Sequence, residues 1–196
     1  MGKIFLFLIL INGLFYTKPE YDIKINCVSE YNSKIAQLDT IKKANGFIFP
    51  VGKLNTKGYY NAQGFGKNNH LGDDWNGVGG GNTDFGDPIY SIANGYVSFA
   101  ENIGGGWGNV IRVVHYLEDN RKVESLYAHC SQIEVKKGDY VNKGDLIGKI
   151  GNNNGAYLAH LHLELRSKVG LSIGGGYSEN FDGYLDPSKF IKENRD

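Results

Sequence analysis

Val135-Lys136-Lys137-Gly138-Asp139-Tyr140-Val141-Asn142-Lys143-Gly144-Asp145-Leu146-Ile147-Gly148-Lys149-Ile150 holds two Lys-Gly-Asp turns in close succession. Each turn separates short apolar runs, so the stretch reads as short strands that fold back at once. The same texture extends outward on both sides. Phe47–Val51, Pro88–Ile92, Gly95–Ala100, Val110–Tyr116, Lys122–His129 and Leu161–Leu165 are β-branched or aromatic runs. Between them lie turn signals such as Gly104-Gly105-Gly106, Glu118-Asp119-Asn120 and Asn152-Asn153-Asn154-Gly155. Strands this short, at spacings of about 8–15 residues, predict an antiparallel sheet, sandwich or barrel. The expected fold is mainly β, an antiparallel barrel-sandwich-like domain with little helix, over residues 46–193.

Composition agrees. Glycine supplies 28 of 196 residues, twice the usual ~7%, with no Gly-X-Y period. Aromatic and aliphatic residues are plentiful enough for a core, which excludes wholesale disorder. Lys+Arg and Asp+Glu are 21 each, so the formal net charge is zero. A protein that binds nucleic acid by neutralising phosphates would show a basic excess. Two Cys are too few for a disulfide scaffold or a four-Cys zinc site. At the N-terminus a short basic start precedes the apolar run Ile4–Ile11, extended by Leu14-Phe15-Tyr16. About 13 apolar residues suit a signal peptide or a short anchor over residues 1–17, and either sends the chain out of the cytoplasm. Residues 18–45 read as a linker or arm, with Ile35, Leu38 and Ile41 spaced for one weak amphipathic helix. Outside the cytoplasm a Cys27–Cys130 disulfide becomes an option.

The five histidines carry the chemical signal. In His160-Leu161-His162 the period of two puts both imidazoles on one strand face, with Leu161 and Leu163 on the other. Two buried imidazoles side by side need something to organise them. The complement is His70-Leu71-Gly72-Asp73-Asp74, where Asn68-Asn69 and Gly72 indicate a loop. One His and one carboxylate from that loop, with one His of the pair, make a His₂Asp set. Three protein ligands and an open fourth position are the pattern of catalytic rather than structural zinc. Gly79-Gly80-Gly81-Asn82-Thr83-Asp84 is a single imperfect match to a calcium repeat and lacks EF-hand spacing. In Leu126-Tyr127-Ala128-His129-Cys130-Ser131, alternation puts His129 on the face of Tyr127 and Ser125, and Cys130 on that of Ala128 and Leu126. Cys130 therefore reads as a core residue rather than the nucleophile of a Cys–His pair. His115 ends its strand with no evident partner and reads as structural.

In order, His70-x-Gly72-x-Asp74, Tyr127-Ala128-His129 and His160-Leu161-His162 resemble the lysostaphin/LytM-type zinc metallopeptidases that cut peptidoglycan peptides. Gly86–Val97, Gly106–Val110 and the two Lys-Gly-Asp turns fit as well, so the likeness spans about Gly46 to Ile191. The resemblance implies one Zn2+ per chain, held by His70, Asp74 and His162. It makes His129 and His160 the catalytic imidazoles that hold no metal. It implies a peptidoglycan peptide substrate, no nucleic-acid partner, export to the cell envelope or beyond, and membrane contact only through an N-terminal anchor. Tyr157, in Gly155-Ala156-Tyr157-Leu158-Ala159, departs from the small residues and Pro usual before H-x-H, and it is expected to reshape the substrate groove. The Gly-rich stretches 77–81, 104–106 and 174–176 are expected to form open walls for an extended peptide. Two other readings compete. A non-catalytic module on the same fold would bind peptidoglycan or activate another cell-wall hydrolase. A lipoyl-type carrier also uses such Lys-Gly-Asp turns, but it leaves the histidines without a purpose.

Overall fold

A computed structural model describes residues 41–195. The apolar N-terminal run, the predicted helix around Ile35–Ile41 and Cys27 lie outside the described residues, apart from Ile41 itself. Among the described residues eleven strands and one α-helix follow in order: β1 (Tyr59–Gln63), β2 (Asp73–Gly77), β3 (Pro88–Tyr90), β4 (Gly95–Asn102), β5 (Asn109–Tyr116), β6 (Lys122–Cys130), β7 (Gln132–Ile133), β8 (Tyr140–Val141), β9 (Leu146–Lys149), β10 (Leu161–Arg166), β11 (Tyr184–Leu185) and α1 (Pro187–Glu193). All pairings are antiparallel. The large sheet runs β1-β2-β10-β6-β5-β4-β8, with β11 also on β10, and a small sheet runs β3-β9-β7. The fold is mainly β, as the turn spacing predicts. Among the described residues no helix is long and apolar enough to cross a membrane.

The stretch around the two Lys-Gly-Asp turns behaves differently from a hairpin. Gly138 and Gly144 adopt positive φ, and each Asp accepts a backbone N–H three residues back, Lys136 N to Asp139 and Asn142 N to Asp145. Yet β8 pairs with β4 in the large sheet, while β9 pairs with β3 and β7 in the small one. The turns hand the chain from one sheet to the other, and Gly144 N→Ser91 O and Ser91 N→Asp145 O fasten the crossing. Phe47–Val51 is extended and buried at Phe47, Phe49 and Val51, but it forms no ladder strand. Single hydrogen bonds, Ile48 N→Ile92 O and Tyr90 N→Pro50 O, hold it in place. The little helix expected is α1, and Asp186-Pro187 is its start signal: the Asp186 carboxylate caps Lys189 N and Pro187 occupies the first turn.

The two faces of the large sheet differ. One carries the apolar core, including Ile111, Val113, Tyr127, Leu161, Leu163 and Leu165. The other carries a small apolar group of Val110, Leu126 and Ala128, with Trp107 and Ile173 against it. Beside that group lie Arg112, Glu124, His162, Glu164 and Arg166, all buried. Residues 167–183, between β10 and β11, contribute the covering Ile173. Gly72 sits where a Cβ would come 2.3 Å from the Leu163 carbonyl oxygen. Its lack of a side chain lets the segment after His70 lie directly against β10.

Candidate metal centre and active site

β2 and β10 are hydrogen-bonded neighbours in a register that sets His162 opposite Asp74. The segment before β2 turns through Lys67–Asn69 and bridges to Tyr177 at His70. Three polar atoms then converge. His70 Nε2 is 3.1 Å from His162 Nδ1, His162 Nδ1 is 2.9 Å from Asp74 Oδ1, and His70 Nε2 is 3.4 Å from Asp74 Oδ1. One atom from each residue lies within 4.8 Å of the others. Two ring nitrogens and a carboxylate oxygen facing one another hold more lone pairs than protons, an arrangement that a small cation satisfies. Two nitrogens and one oxygen also suit zinc in the donor types present. Without a cation, a proton takes that role. Burial opposes charge on His162, but the Asp74 and Glu164 carboxylates lift its pKa to about 9. Burial likewise works against Asp74, yet hydrogen bonds from His162 and His70 hold its carboxyl well below the usual range.

Asp73 points elsewhere. Its Oδ1 accepts Phe65 N at 3.1 Å and its Oδ2 accepts the Ser188 hydroxyl at 2.6 Å, so it ties β2 to the preceding loop and to α1. The carboxylate that faces the histidines is Asp74, on a strand rather than a loop.

His160 and His129 share a cleft of about 350 Å3 with His70, Asp74 and His162. His160 precedes β10 and donates from Nδ1 to Leu158 O at 2.8 Å, which leaves Nε2 as an acceptor 3.9 Å from Asp74 Oδ1. Its ring centroid is 4.7 Å from that of His129. His129 has φ +61°, in the left-handed region. The β5–β6 register shifts there, with Asn109 opposite Cys130 and Ile111 opposite Tyr127. This bulge overturns the face assignment made from alternation. Cys130 joins Tyr127 in the apolar core, while His129 turns out of the ladder into the cleft. The His129 ring is held by rings of Trp107, Tyr157 and His160 rather than by a carboxylate. Burial, then repulsion from His162 and His160, push its pKa down to about 3, so it is neutral near pH 7. Among the described residues Cys130 has no disulfide partner; it is buried, and burial raises its thiol pKa to about 12, unsuited to nucleophilic attack.

The sequence model of peptidase family M23 matches residues 74–173, half of the chain, and takes in Asp74, His129, His160 and His162. The chain belongs to peptidase family M23. The chain is 36% identical over 83 residues to lipoprotein NlpD of Yersinia enterocolitica, covering 42% of this chain and 80% of NlpD. It is 33% identical over 81 residues to the cell division protein DipM of Caulobacter vibrioides, covering 41% of this chain but 13% of DipM. The fold is similar to lysostaphin, the antimicrobial peptidase of Staphylococcus simulans, at TM-score 0.53 and 27% identity over 69% of this chain and 50% of that one. It is also similar to a zinc-containing peptidase of Vibrio cholerae, at TM-score 0.51 and 27% identity over 62% and 37% of the two chains. The chain thus spans half or less of DipM, lysostaphin and the Vibrio peptidase.

Several features of this M23 site were not read from the sequence. Trp107 donates Nε1–H to Gly174 O at 2.9 Å and meets His162 edge to face. Tyr177 lies over His70 at 5.0 Å between centroids. Nothing local marks Tyr177; it arrives through the His70 bridge. Glu164 Oε1 faces His162 Nε2 at 3.3 Å, and this one had a signal. The alternation His160-Leu161-His162-Leu163-Glu164-Leu165-Arg166 places Glu164 on the face of the histidines. Of the predicted glycine walls, Gly106, Gly175 and Gly176 line the cleft, together with Tyr157. Residues 77–81 do not; they form a turn closed by Asp84 Oδ2, which accepts Gly77 N at 2.9 Å. The same bond gives Asp84 a structural task in place of the weak calcium match. His115 is buried between Asn94 O, to which Nδ1 donates, and the Ser125 hydroxyl at Nε2, a structural role with partners the sequence did not reveal.

Proposed function

We propose that this chain is a zinc-dependent endopeptidase that hydrolyses peptide bonds of bacterial peptidoglycan. The observation that carries the reading is the convergence of His70 Nε2, Asp74 Oδ1 and His162 Nδ1 beside two further imidazoles in one cleft. In this reading His70, Asp74 and His162 hold one zinc ion, and a solvent-facing side remains where a substrate carbonyl and water can approach. Zinc so held supplies Lewis acidity, polarising a carbonyl and making water a nucleophile near neutral pH. His160 Nε2, with Nδ1–H engaged by Leu158 O, accepts the proton of the attacking water and returns it to the leaving amine. His129, neutral and held by its aromatic neighbours, donates a hydrogen bond to the developing oxyanion. Tyr157 and Tyr177 narrow the cleft and set which peptide enters.

Membership of the M23 family and the likeness to a zinc-containing peptidase and to lysostaphin support the metal and the substrate class. Export over residues 1–17, an arm over 18–45 and a catalytic domain over 46–193 complete the proposal. The apolar run Ile4–Ile11 and the similarity to a lipoprotein support an envelope or secreted location. The test is mass spectrometry of cross-linked muropeptides treated with the zinc-loaded chain, with a chelator control. New amino termini that vanish with the chelator are expected. One bound zinc with no cleavage would favour the non-catalytic module instead.

A further inference from the structure

β10 continues past the histidines with Glu164 and Arg166 on the same face, and both are fully buried. Glu164 serves two partners at once. Its Oε1 faces His162 Nε2 at 3.3 Å, and its Oε2 accepts Arg166 Nε at 2.8 Å. The Arg166 guanidinium then reaches the segment that follows β10. Nη1 donates to Leu171 O at 3.2 Å and Nη2 to Ile173 O at 3.3 Å. Arg112, paired with Glu124, donates to the same Leu171 O at 2.9 Å, and Glu124 accepts Gly170 N at 3.2 Å. Beyond these anchor points the segment forms the cleft wall: Gly174 O takes the Trp107 indole N–H, Gly176 O accepts Leu71 N, and Tyr177 lies over His70.

Two buried ion pairs are an expensive way to close a sheet face that apolar residues would cover as well. What they supply here is direction. A carboxylate behind an imidazole fixes its tautomer and orientation and makes the opposite nitrogen a better ligand. A planar guanidinium can bind that carboxylate and two carbonyls in one rigid plane, which a lysine cannot. We propose that Glu164 and Arg166 are positioning residues that set the metal-facing ring of His162 and the cleft wall of residues 171–177 as one unit, so that ligand geometry and substrate groove are fixed together. This rests on the reading of His162 as a zinc ligand; the link from Arg166 to the wall stands apart from it.

The test uses the full chain and two variants, each checked for folding by circular dichroism. Glu164→Gln keeps the volume but leaves one acceptor oxygen for two donors. Zinc affinity, measured by competition with a chromophoric chelator, is expected to fall about 10- to 100-fold. Arg166→Lys keeps the charge beside Glu164 and loses the fork to Leu171 O and Ile173 O. Amide hydrogen exchange at Leu71, whose N–H bonds Gly176 O, and at Ser178, whose N–H bonds Asn69 O, is expected to rise at least about tenfold in the metal-free protein, and KM for a muropeptide to rise more than kcat falls. If Glu164→Gln does not fold, Glu164→Asp, which retains the charge but shortens the reach, is measured in its place with the same expectation. Zinc affinity within twofold of the parent in the Glu164 variant, or unchanged exchange at Leu71 and Ser178 in Arg166→Lys, would overturn the proposal. A parent chain that binds no zinc would instead defeat the metal reading, and the exchange measurement would still decide the link from Arg166 to the wall.

Discussion

Asp73→Asn and Asp74→Asn are chemically identical changes at adjacent positions with opposite expected outcomes. Asp74 Oδ1 faces both His70 Nε2 and His162 Nδ1. An amide there is a poor ligand, so the variant retains two of three protein donors. Apparent zinc-binding free energies of about 10–16 kcal/mol, shared over four positions, give roughly 2.5–4 kcal/mol per ligand, or on the order of 10²–10³ in affinity. Asp73 has no part in that set. An Asn at 73 can still accept Phe65 N and turn its NH₂ toward the Ser188 oxygen. Only the charge assistance is lost, about 1 kcal/mol, which for a domain of this size lowers Tm by about 2–4 °C. Elemental analysis, chelator competition and thermal melting on purified chains check all of this. Zinc affinity in Asp74→Asn within tenfold of the parent by chelator competition, or zinc lost from Asp73→Asn, would refute the assignment.

His160→Ala and His129→Ala should each keep about one zinc and a folded spectrum yet cleave muropeptides on the order of 10²-fold more slowly or worse; a normal rate in either removes that residue from the chemistry. Because the pKa of His162 stands at about 9 before metal is added, zinc binding at pH 7 should release about one proton from that ring, read by calorimetry in buffers of different ionisation enthalpy. His115 is fully buried and its pKa is depressed to about 4. The unfolded chain binds its proton first, so this contribution is complete above pH ~6.5, is lost as pH falls toward 4, and totals about 3 kcal/mol. Urea melts of the metal-free chain at pH 7 and pH 4.5 should therefore diverge more for the parent than for His115→Gln, and equal divergence would sink the idea.

Much of this protein is legible in local pattern. Turn residues recur often enough to exclude a helical fold, and a period of two is sufficient to set His160 and His162 on one face and Leu161 and Leu163 in the core. The same period, carried two steps further, already held Glu164 and Arg166. Other decisions needed the third dimension. Local pattern leaves Asp73 and Asp74 equivalent and only the family resemblance selects Asp74; the physical reason is the β2–β10 register, a property of two strands nearly ninety residues apart. Strict alternation mispaired Cys130 because His129 leaves the ladder at positive φ, and a bulge adds one residue to one strand without leaving a mark in its hydrophobic pattern. The Lys-Gly-Asp turns announced reversals but not that β8 and β9 enter different sheets, since a turn sets local direction and long-range pairing selects the partner. An alternating strand ordinarily shows its polar face to water. β10 buries both faces, because Arg166 and Arg112 hold the carbonyls of residues 171 and 173 over the polar side, and only the assembled sheet brings those carbonyls within reach.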